Sequence, residues 1–509
     1  MTYVVKLTSV NEVRMRVSAD PGILEEIADK FTFLVDGYQH MPSFKAGFWD
    51  GKIRLFSPIK SLIYKGLLVE LSEFCQEQGY KISMPSGGIL PSRMREMHTV
   101  REELKTWASE STSDEYDDRN YQMEAFANLV AMERAVALSS TSSGKTLMIY
   151  RLLRYFAELT GKPALMVTSR TNLVVQSQKD FANYDHDGNF KVAIMKGDSK
   201  VSTVKDIDCV VSTWQSATKK DAEWFSQFSI VIADEAHGWD SKSCTSIMEK
   251  CTHIKYRYAF TGTLDGTKMN KMILTGLFGP VTVLSTTKQR IDAGDTSNLA
   301  ITCIKLDYHE SDRKKLKKFH YDPINNRWKP ATYQEEVSFV ITHEHRRKFI
   351  LNLASSLSGN TLILFTRNDD FGKPLFEMFK EAGRNCKLVY GSTEDNDREL
   401  VRETLEKENG IDVIASLGTF SEGMSVNNLH NIILAYPVKG QVRLLQSIGR
   451  GLRKSDGKEV CNFYDIVDDI RSNKTDNHLW NHALIRCQIY DSQQFNYVWK
   501  TIKLKPSNY

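Results

Sequence analysis

Two short stretches that lie far apart in the sequence carry residue types that could together bind and cleave a nucleoside triphosphate. The first is STSSGKT at residues 140–146, where Lys145 could hold phosphate oxygens and the Thr146 hydroxyl could hold Mg²⁺. The second is SIVIADEAH at residues 229–237, where the adjacent acids Asp234 and Glu235 follow an apolar run. An aspartate in that position suits Mg²⁺, and a glutamate suits activation of the attacking water. The two stretches therefore predict hydrolysis of ATP with Mg²⁺.

The first stretch departs from the usual phosphate-binding signature, because Ser139 stands where that signature has its first glycine. Gly144, next to the lysine, is retained, and glycine permits a positive φ and a close approach to phosphate. RAVALSS before the loop is typical of a buried strand, and KTLMIYRLLRYFAEL after it is typical of an amphipathic helix. Such a loop directs main-chain N–H groups at an anion on the helix N-terminus. The expected phosphate-binding residues are Ser140, Thr141, Ser142, Ser143, Gly144, Lys145 and Thr146.

The elements that must position these residues appear as short apolar runs separated by helical stretches. In the first part of the chain the runs are 135–138, 164–168, 209–212, 230–233 and 258–260. The same rhythm returns at 361–365, 388–390, 413–415, 432–435 and 460–466. Strands that alternate with helices predict an α/β fold with two tandem parallel-sheet domains. Ligands bind such sheets outside the carboxyl ends of the strands, which is where both acids fall.

The remaining segments read differently. Residues 1–96 mix short β-type runs with one helix-like stretch near 21–30, so they predict a small α+β domain. The polar stretch 97–118 predicts a linker. Residues 286–345 lack the α/β rhythm and contain DRKKLKKFH, so they predict a linker or an insertion. The two α/β domains are accordingly expected at 119–285 and 346–509.

Composition narrows the class of protein further. The chain has 509 residues, 41% hydrophobic and 26% charged, which is ordinary for a globular protein of about three domains. It has no run of 18 apolar residues, and its N-terminal stretch is charged, so we expect no membrane partner and no secretion. Eight scattered cysteines predict reduced thiols in a cytoplasmic location, without zinc. A net charge of +4 does not by itself indicate nucleic acid.

With TGT at 261–263 and QSIGRGLR at 446–453, these motifs resemble those of superfamily 2 helicases over roughly residues 119–470. The resemblance implies two RecA-like domains, ATP as cofactor and nucleic acid as partner. It implies that Gln122 in RNYQMEAF contacts adenine and that Gly423 in VIASLGTFSEGMSVNNLH contacts the nucleotide. It further implies that His237, Thr261 and Thr263 couple the ATP site to domain movement.

The arginines of QSIGRGLR suit stabilisation of a phosphoryl group during its transfer. A guanidinium carries a fixed charge and a planar fork of donors, which suits charge that develops on a transferring phosphoryl group. Arg450 and Arg453 are three residues apart and fall on one helix face. The resemblance implies that Arg453 is the arginine finger, with Gln446 and Arg450 beside it. Because Lys145 is in the first α/β domain and these residues are in the second, ATP is expected between the two, so that hydrolysis is coupled to their closure.

The same resemblance implies a nucleic-acid track that crosses both domains and contacts mostly phosphates. The contacts that it implies lie at strand ends and are Arg170, Thr213, Gln215, Arg367 and Ser416. Two positions depart from the pattern. Ser169 replaces a proline in VTSRTNLVVQ, and Ser425 replaces an aspartate, which puts any ribose contact at that residue in doubt.

A second candidate nucleic-acid surface is the stretch SFKAGFWDGKIRLFSPIKSLIYKG at residues 43–66. It interleaves cations with aromatic residues, as surfaces that grip phosphates and stack on bases do. We expect the cations to contact nucleic acid, whereas the aromatic residues fit base stacking or a core, with a core favoured for Trp49. The cations assigned to this surface are Lys45, Lys52, Arg54 and Lys60.

A closer resemblance extends over most of the chain and rests on GFWDGKIRLF, EWFSQFSIVIADEAH, TYQEEV, LQSIGRGLRK and FNYVWKTIKL. It is to a phage family of recombination and replication-fork DNA helicases with RecG-like function. This implies remodelling of branched DNA, by branch migration, fork regression, processing of Holliday junctions and R-loops, and strand annealing. The expected protein is a monomer in the host cytoplasm, with single-stranded DNA-binding protein as a further partner.

Three alternatives stay open at the level of sequence. An RNA helicase would share every motif of the two α/β domains. The DNA-translocating subunit of a restriction enzyme would also share them, although 1–118 and 470–509 contain no nuclease-like cluster of acids and lysine. A DNA-annealing protein with a degenerate ATP site would account for Ser139 and Ser425.

Overall fold

The computed structural model describes residues 3–86, 88–90, 97–113, 116, 120–140, 143–197, 201, 204–318, 321–322, 327–328, 331–421, 426–455, 457–471 and 477–507. The chain forms two compact units, which follow one another in sequence at Ser285 and Thr286. Each unit contains one seven-stranded sheet, and the first unit also contains a small N-terminal module (residues 4–83). No helix within the described ranges is both long and apolar enough to cross a bilayer.

The N-terminal module is a mixed five-stranded sheet in the order β5-β6-β2-β1-β7, with a separate hairpin of β3 and β4. Strand β1 buries Val5 and Leu7 in alternation with exposed residues, as a strand with one covered face does. Helix α1 begins at Pro21, whose fixed φ suits the first helical position, and buries Ile23 and Ile27 in the same core. The elements are β1 Val4–Ser9, β2 Arg14–Ser18, α1 Pro21–Lys30, β3 Thr32–Leu34, α2 Pro42–Lys45, β4 Lys52–Arg54, β5 Phe56–Ser57, β6 Leu62–Tyr64, α3 Leu68–Glu77 and β7 Lys81–Ser83.

The module and the first large sheet share one hydrophobic core, so they are not separate folding units joined by a tether. A buried ionic cluster lies at their junction. The Glu12 carboxylate accepts hydrogen bonds from Lys65 Nζ at 3.1 Å and from Arg134 Nη2 at 2.7 Å, and both cations are at least nine-tenths buried. Gly66 packs against the main chain of helix α11 (Lys268–Phe278), where a side chain would overlap the Thr275 carbonyl oxygen.

The first large sheet is entirely parallel, in the order β10-β11-β9-β12-β13-β8-β14. The interior strand β9 is buried at all five residues, with side chains that enter two different cores on the two faces of the sheet. A continuous apolar run is what a parallel strand covered on both faces requires. The elements are α4 Met97–Ser111, α5 Asn120–Met132, β8 Arg134–Ser139, α6 Lys145–Thr160, β9 Ala164–Thr168, α7 Thr171–Tyr184, β10 Val192–Met195, β11 Cys209–Thr213, α8 Trp214–Ala217, α9 Ala222–Phe225, β12 Ile230–Asp234, α10 Lys242–Lys250, β13 Tyr256–Thr261, α11 Lys268–Phe278 and β14 Val281–Ser285.

The second unit repeats this architecture, with strands in the order β19-β20-β18-β21-β22-β15-β23, all parallel. The buried pairs Arg346–Asp468 and Arg486–Asp465 fix its helices to the carboxyl half of β22. The elements are α12 Thr287–Asp292, β15 Asn298–Asp307, α13 Glu310–Lys318, β16 Tyr321–Asp322, β17 Arg327–Trp328, α14 Tyr333–Thr342, α15 Glu344–Ser355, β18 Thr361–Phe365, α16 Lys373–Glu381, β19 Cys386–Val389, α17 Asp395–Lys407, β20 Asp412–Ser416, α18 Leu417–Ser421, β21 Asn431–Leu434, α19 Gln441–Gly451, β22 Val460–Asp469, α20 His478–Ser492 and β23 Tyr497–Lys503.

The structure confirms the predicted α/β class with two tandem RecA-like sheets after a small N-terminal region. It differs from the predicted linkers in two places. Residues 97–111 form helix α4, which buries Leu104 and stacks Trp107 on Phe126 at 5.7 Å, so a polar stretch is held by a few apolar contacts. Residues 298–307 form β15, which pairs along its whole length with β22 and therefore belongs to the second sheet. Its polar residues, such as Thr302, interrupt the apolar run by which the other strands are recognised.

Candidate active site and nucleic-acid surface

The predicted phosphate loop joins β8 to α6, as the sequence indicates. Gly144 precedes the helix with φ +78°, a backbone conformation that residues with a side chain rarely adopt. A Cβ atom at this position would also collide with the Gln122 amide. Glycine is thus required at position 144 for two reasons: its positive φ and the close approach of the Gln122 side chain. Thr141 and Ser142 lie outside the described residues.

Two serine hydroxyl groups contact each other across the loop, at the position where the usual signature begins with a glycine. Ser139 Oγ lies 2.6 Å from Ser143 Oγ, and both side chains are buried. The Ser143 carbonyl oxygen accepts hydrogen bonds from Gln122 Nε2 at 3.0 Å and from the Tyr121 hydroxyl. Ser139, at the position of the signature's first glycine, thus contacts Ser143 on the other side of the loop. Gln122 is expected to contact adenine. In the structure its side-chain amide donates to the main chain of the loop.

Asp234 and Glu235 lie where β12 ends, on the same edge of the sheet as the phosphate loop. Glu235 adopts φ +50°, an uncommon conformation for a residue with a side chain, and its N–H donates to Asp234 Oδ1 at 2.9 Å. Its carboxylate oxygen Oε1 is 3.4 Å from Lys145 Nζ. The sharp turn at Glu235 therefore aims its carboxylate at the lysine of the loop, while Asp234 remains in line with the strand.

The two acids have opposite electrostatic surroundings. Burial, together with the adjacent negative charge of Glu235, raises the pKa of Asp234. Burial alone would also raise the pKa of Glu235, but Lys145 and His237 beside it outweigh that effect and lower its pKa. Glu235 is therefore the acid that its neighbours hold ionised. An ionised carboxylate can accept a proton from an attacking water.

A chain of polar contacts leads from Glu235 to the neighbouring strand. His237 Nδ1 lies 3.4 Å from Glu235 Oε2 and 3.3 Å from the Thr261 hydroxyl, which in turn donates to the Thr263 carbonyl oxygen at 2.9 Å. Thr261 ends β13, which lies between β12 and β8 in the sheet. The structure thus brings the three predicted coupling residues into one connected series that begins at Glu235.

Thr146 and Asp234, the predicted Mg²⁺ ligands, offer hydroxyl and carboxylate oxygens, the ligand type that Mg²⁺ prefers. Thr146 is the second residue of α6, and Asp234 is the last of β12. Across the described part of the chain, no group of three or more histidine, cysteine, aspartate and glutamate side chains could hold a metal on its own. The donor set therefore fits an ion that takes its other ligands from phosphate and water.

In the second unit, Gln446 and Arg450 lie on α19 and Arg453 follows two residues after its end. All three are half-buried. Burial lowers the pKa of Arg453, and its Nε is buried without an acceptor among the described residues. A buried donor of this kind is costly unless an acceptor is supplied, and phosphate is such an acceptor. Gly423 and Ser425 lie outside the described residues.

The predicted strand-end contacts to nucleic acid have different environments. Gln215 is exposed, and Arg170 is half-buried at the start of α7. The Thr213 side chain is buried and accepts a hydrogen bond from Ser216 N, so it caps α8. Arg367 donates to Ser338 Oγ at 2.8 Å, and Ser416 Oγ is 2.7 Å from Thr419 Oγ1. The registry of β18 and β20 pairs Phe365 with Ser416, so Arg367 and Ser416 lie at one edge of the second sheet.

The candidate surface at 43–66 separates into exposed and buried parts. Lys45, Lys52, Arg54 and Lys60 are all exposed, as expected for cations that meet a polyanion. Arg54 is paired with Asp50 at 2.5 Å, which lowers the pKa of that acid to about 2. Lys65 is buried in the cluster with Glu12, so it belongs to the junction with the first sheet and not to this surface.

The aromatic residues of the same stretch also divide. Phe56 and Tyr64 are buried in the core, and the Trp49 indole, half-buried, donates to the Lys52 carbonyl oxygen at 2.9 Å. Phe44 packs edge-on against Tyr38. Phe48, in contrast, is 88% exposed. Sequence reasoning did not separate Phe48 from its neighbours, because aromatic residues at close spacing carry no signal of which ring the turn leaves outside.

Three regions of the chain match known protein families. Residues 5–85 match the family described as DNA helicase UvsW, N-terminal; residues 115–266 match Type III restriction enzyme, res subunit; and residues 345–455 match Helicase conserved C-terminal domain. The ATP-dependent DNA helicase UvsW of Enterobacteria phage T4 is 32% identical over 96% of this chain and 98% of its own length. The putative ATP-dependent helicase IRC3 of Saccharomyces cerevisiae is 24% identical over 69% of this chain and 51% of its own length.

Solved structures give the same result. The crystal structure of T4 UvsW is 30% identical, with a TM-score of 0.50, and the alignment covers 99% of this chain and all of that one. The Type ISP restriction-modification enzyme LlaBIII bound to DNA matches 77% of this chain and 31% of its own, with a TM-score of 0.56, but at 16% identity it shares only the fold. At 32% identity over nearly the whole of both sequences, the protein belongs to the UvsW family of ATP-dependent DNA helicases.

Proposed function

We propose that this ATP-dependent DNA helicase remodels branched DNA, by branch migration, fork regression, processing of Holliday junctions and R-loops, and strand annealing. The observation that carries the proposal is the N-terminal module. It matches the UvsW N-terminal family and shares a core with the first helicase sheet. It also presents an exposed basic surface. A DNA contact fixed to one half of an ATP-driven translocase can hold one arm of a junction while the helicase units move along another.

In the proposed ATP cycle, Lys145 and the main-chain N–H groups of the loop bind the β- and γ-phosphates. Glu235, held ionised by Lys145 and His237, accepts a proton from the water that attacks the γ-phosphorus. Arg450 and Arg453 of the second unit neutralise charge that develops on the transferring group. The polar series from Glu235 through His237 to Thr261 couples the presence or absence of the γ-phosphate to the conformation of the rest of the first unit.

We further propose that Thr146 and Asp234 hold Mg²⁺ together with the phosphates. When bound, the ion would neutralise phosphate charge and orient the γ-phosphate for attack. Burial raises the pKa of Asp234 even with the Lys145 ammonium nearby, and a divalent cation there would favour its ionised form. Gln122, Gly423 and Gln446 are proposed to contact the nucleotide as relatives of the superfamily do.

For DNA, we propose phosphate contacts by Lys45, Lys52 and Lys60 of the module. Arg54 is partly neutralised by Asp50, so we expect it to contribute less than the three lysines. In the two helicase sheets, the proposed contacts are Arg170, Thr213, Gln215, Arg367 and Ser416. Among these, Thr213 and Ser416 already accept main-chain hydrogen bonds, so they also hold the main chain in place at those strand ends.

Phe48 adds an apolar element to this basic surface. Its ring is almost fully exposed, yet its main chain is fixed, since Phe48 N donates to the Ser43 carbonyl oxygen at 2.9 Å. An exposed ring between Lys45 and Lys52 suits stacking on a base that has lost its partner. Unpaired bases occur where strands separate at a branch point and not within a duplex, so this ring favours branched DNA over a linear duplex.

The family assignment favours DNA over RNA and an active ATP site over a degenerate one. We propose that the protein acts as a monomer in the host cytoplasm, with single-stranded DNA-binding protein as a further partner. The proposal is tested by incubating the protein with a synthetic replication fork whose arms are homologous, with ATP and Mg²⁺. Fork regression to a parental duplex and a duplex of the two annealed nascent strands is the expected result. Unwinding of a linear 3′- or 5′-tailed duplex without regression of the fork would overturn it.

A further inference from the structure

One buried lysine organises the segment that follows helix α19. Lys458 is 6% exposed, and its ammonium group donates to three main-chain carbonyl oxygens. These belong to Gly451 at 2.6 Å, Arg453 at 2.6 Å and Asn427 at 3.0 Å. Gly451 is the last residue of α19, so the ammonium sits where the final carbonyls of a helix have no partner within the helix. A positive charge at that end of a helix is favourable.

The other side of the same segment is fixed by Ser297. Its N–H donates to the Leu452 carbonyl oxygen at 2.9 Å, and its hydroxyl donates to the Arg453 carbonyl oxygen at 3.4 Å. Gly451 itself allows close packing, since a Cβ there would lie 2.7 Å from Ile432 Cδ1. The main chain at Arg453 is thus held from two directions, whereas its guanidinium Nε is buried without an acceptor among the described residues.

We propose that Lys458 is a positioning residue for Arg453, which it sets at the depth and angle needed to reach the nucleotide, and that it links Arg453 to the segment that contains Asn427. The inference rests on the proposed role of Arg453 in ATP hydrolysis. Lys458 acts through the main chain of Arg453 and does not itself contact the nucleotide. Asn427 belongs to the stretch 413–430 that resembles the helicase motif between β20 and β21, so one ammonium joins two segments assigned to the ATP cycle.

The charge on this ammonium is set by its surroundings. Burial lowers the pKa of Lys458 to about 8, and the charge of Arg453 acts in the same direction, while Cys461 and Glu406 oppose it. His430 is close enough for Lys458 to contribute to lowering its pKa. At neutral pH the ammonium is mostly protonated. As the pH rises through about 8 it loses a proton, and with it one donor and the charge that binds the three carbonyls.

The test compares the Lys458→Met and Arg453→Ala variants, their double variant, and Lys454→Met as the control, because Lys454 is an exposed lysine of the same loop. DNA-stimulated ATP hydrolysis is measured at saturating DNA. We expect Lys458→Met to lower kcat by about a hundredfold, as a misplacement of about 1 Å does, with KM for ATP nearly unchanged. The double variant should be no slower than Arg453→Ala, because both changes disable the same group. Lys454→Met should match the wild type.

Losses that multiply in the double variant, or a KM that rises while kcat is kept, would overturn the inference. An unaffected Arg453→Ala would instead overturn the proposed role of Arg453, so the two failures are distinguishable. If Lys458→Met does not fold, Lys458→Arg and the pH profile decide. Lys458→Arg, which keeps a charged donor, should retain part of kcat. The wild-type kcat should fall as the pH rises above about 8, whereas the residual rate of Arg453→Ala should stay flat over the same interval; parallel profiles would count against the inference.

Discussion

Lys145 Nζ lies 3.4 Å from Glu235 Oε1, so the lysine predicted to bind phosphate and the acid predicted to activate water form an ion pair. Lys145 begins α6, just after the loop that follows β8, and Glu235 directly follows β12, so both lie at the same edge of one sheet. In the proposed ATP cycle this contact keeps Glu235 ionised beside the lysine that would bind the phosphates.

Replacement of Lys145 by alanine should abolish most ATP hydrolysis, because it removes the charge that holds the β- and γ-phosphates. We expect kcat to fall by roughly a hundred- to a thousandfold, the loss typical of removing one preorganised electrostatic donor. Fluorescence anisotropy should show unchanged DNA affinity, since no DNA contact is assigned to this residue. Lys162→Ala, at an exposed lysine just after the same helix, is the control. Full hydrolysis in Lys145→Ala would refute the assignment of the site.

Gly144→Ala should weaken ATP binding strongly, whereas Gly161→Ala should not. Both glycines have a positive φ, at +78° and +63°, so alanine costs a similar backbone strain of about 1–2 kcal/mol at each. Only at Gly144 would the new methyl group also collide with Gln122; at Gly161 the space is open. Isothermal titration with a nonhydrolysable ATP analogue separates the two effects. An equal decrease of affinity in both variants would mean that the close approach of Gln122 does not affect ATP binding.

The junction of the N-terminal module with the first sheet should depend on Glu12. Glu12→Gln leaves Lys65 and Arg134 buried without their counter-charge, and we expect the free energy of unfolding of the first unit to fall by about 3 kcal/mol. Urea denaturation followed by tryptophan fluorescence measures this. Glu25→Gln, at an exposed acid of α1, controls for the change in net charge. A Glu12→Gln variant as stable as that control would show that the cluster does not stabilise the junction.

The exposed lysines of the module should account for part of the salt dependence of DNA binding. Replacing Lys45, Lys52 and Lys60 by alanine should reduce the slope of log K against log salt by about 0.9 for every phosphate that these lysines neutralise in the wild type. The control removes three exposed lysines that are paired with acids in the second unit, Lys314, Lys348 and Lys380. This control changes the net charge of the protein by the same amount as the module variant. Equal slopes in the two triple variants would assign the module's lysines to general surface charge.

Much of the fold could be predicted from the sequence where burial makes a pattern unambiguous. The apolar runs at 164–168 and 361–365 are strands with those bounds, because parallel strands covered on both faces must be apolar throughout. Strand β15 could not be predicted, since its polar residues break the run, and its place in the second sheet depends on pairing with β22, over 150 residues later in sequence.

The residues of the candidate site also divide into those that the sequence reveals and those that it does not. Lys145, Thr146, Asp234 and Glu235 are recognisable because their chemistry depends on residue type and position along a strand. The roles of Ser139 and Lys458 are not recognisable, since each depends on a partner that only the folded chain brings near. Ser139 contacts a hydroxyl within its own loop, and Lys458 contacts carbonyls from two segments. Main-chain acceptors leave no signature in a sequence.

The preference of the ATP-driven activity for branched DNA is measured by kcat/KM for DNA-stimulated ATP hydrolysis on a four-way junction, a fork, a linear duplex and a single strand. Each substrate is built from the same strands and compared at equal nucleotide concentration, with single-stranded RNA as the further substrate. We predict that the junction and the fork give the highest values, and that Phe48→Ala lowers these values while leaving the linear duplex unchanged. Equal stimulation by linear and branched DNA, or stronger stimulation by RNA, would contradict the proposed function.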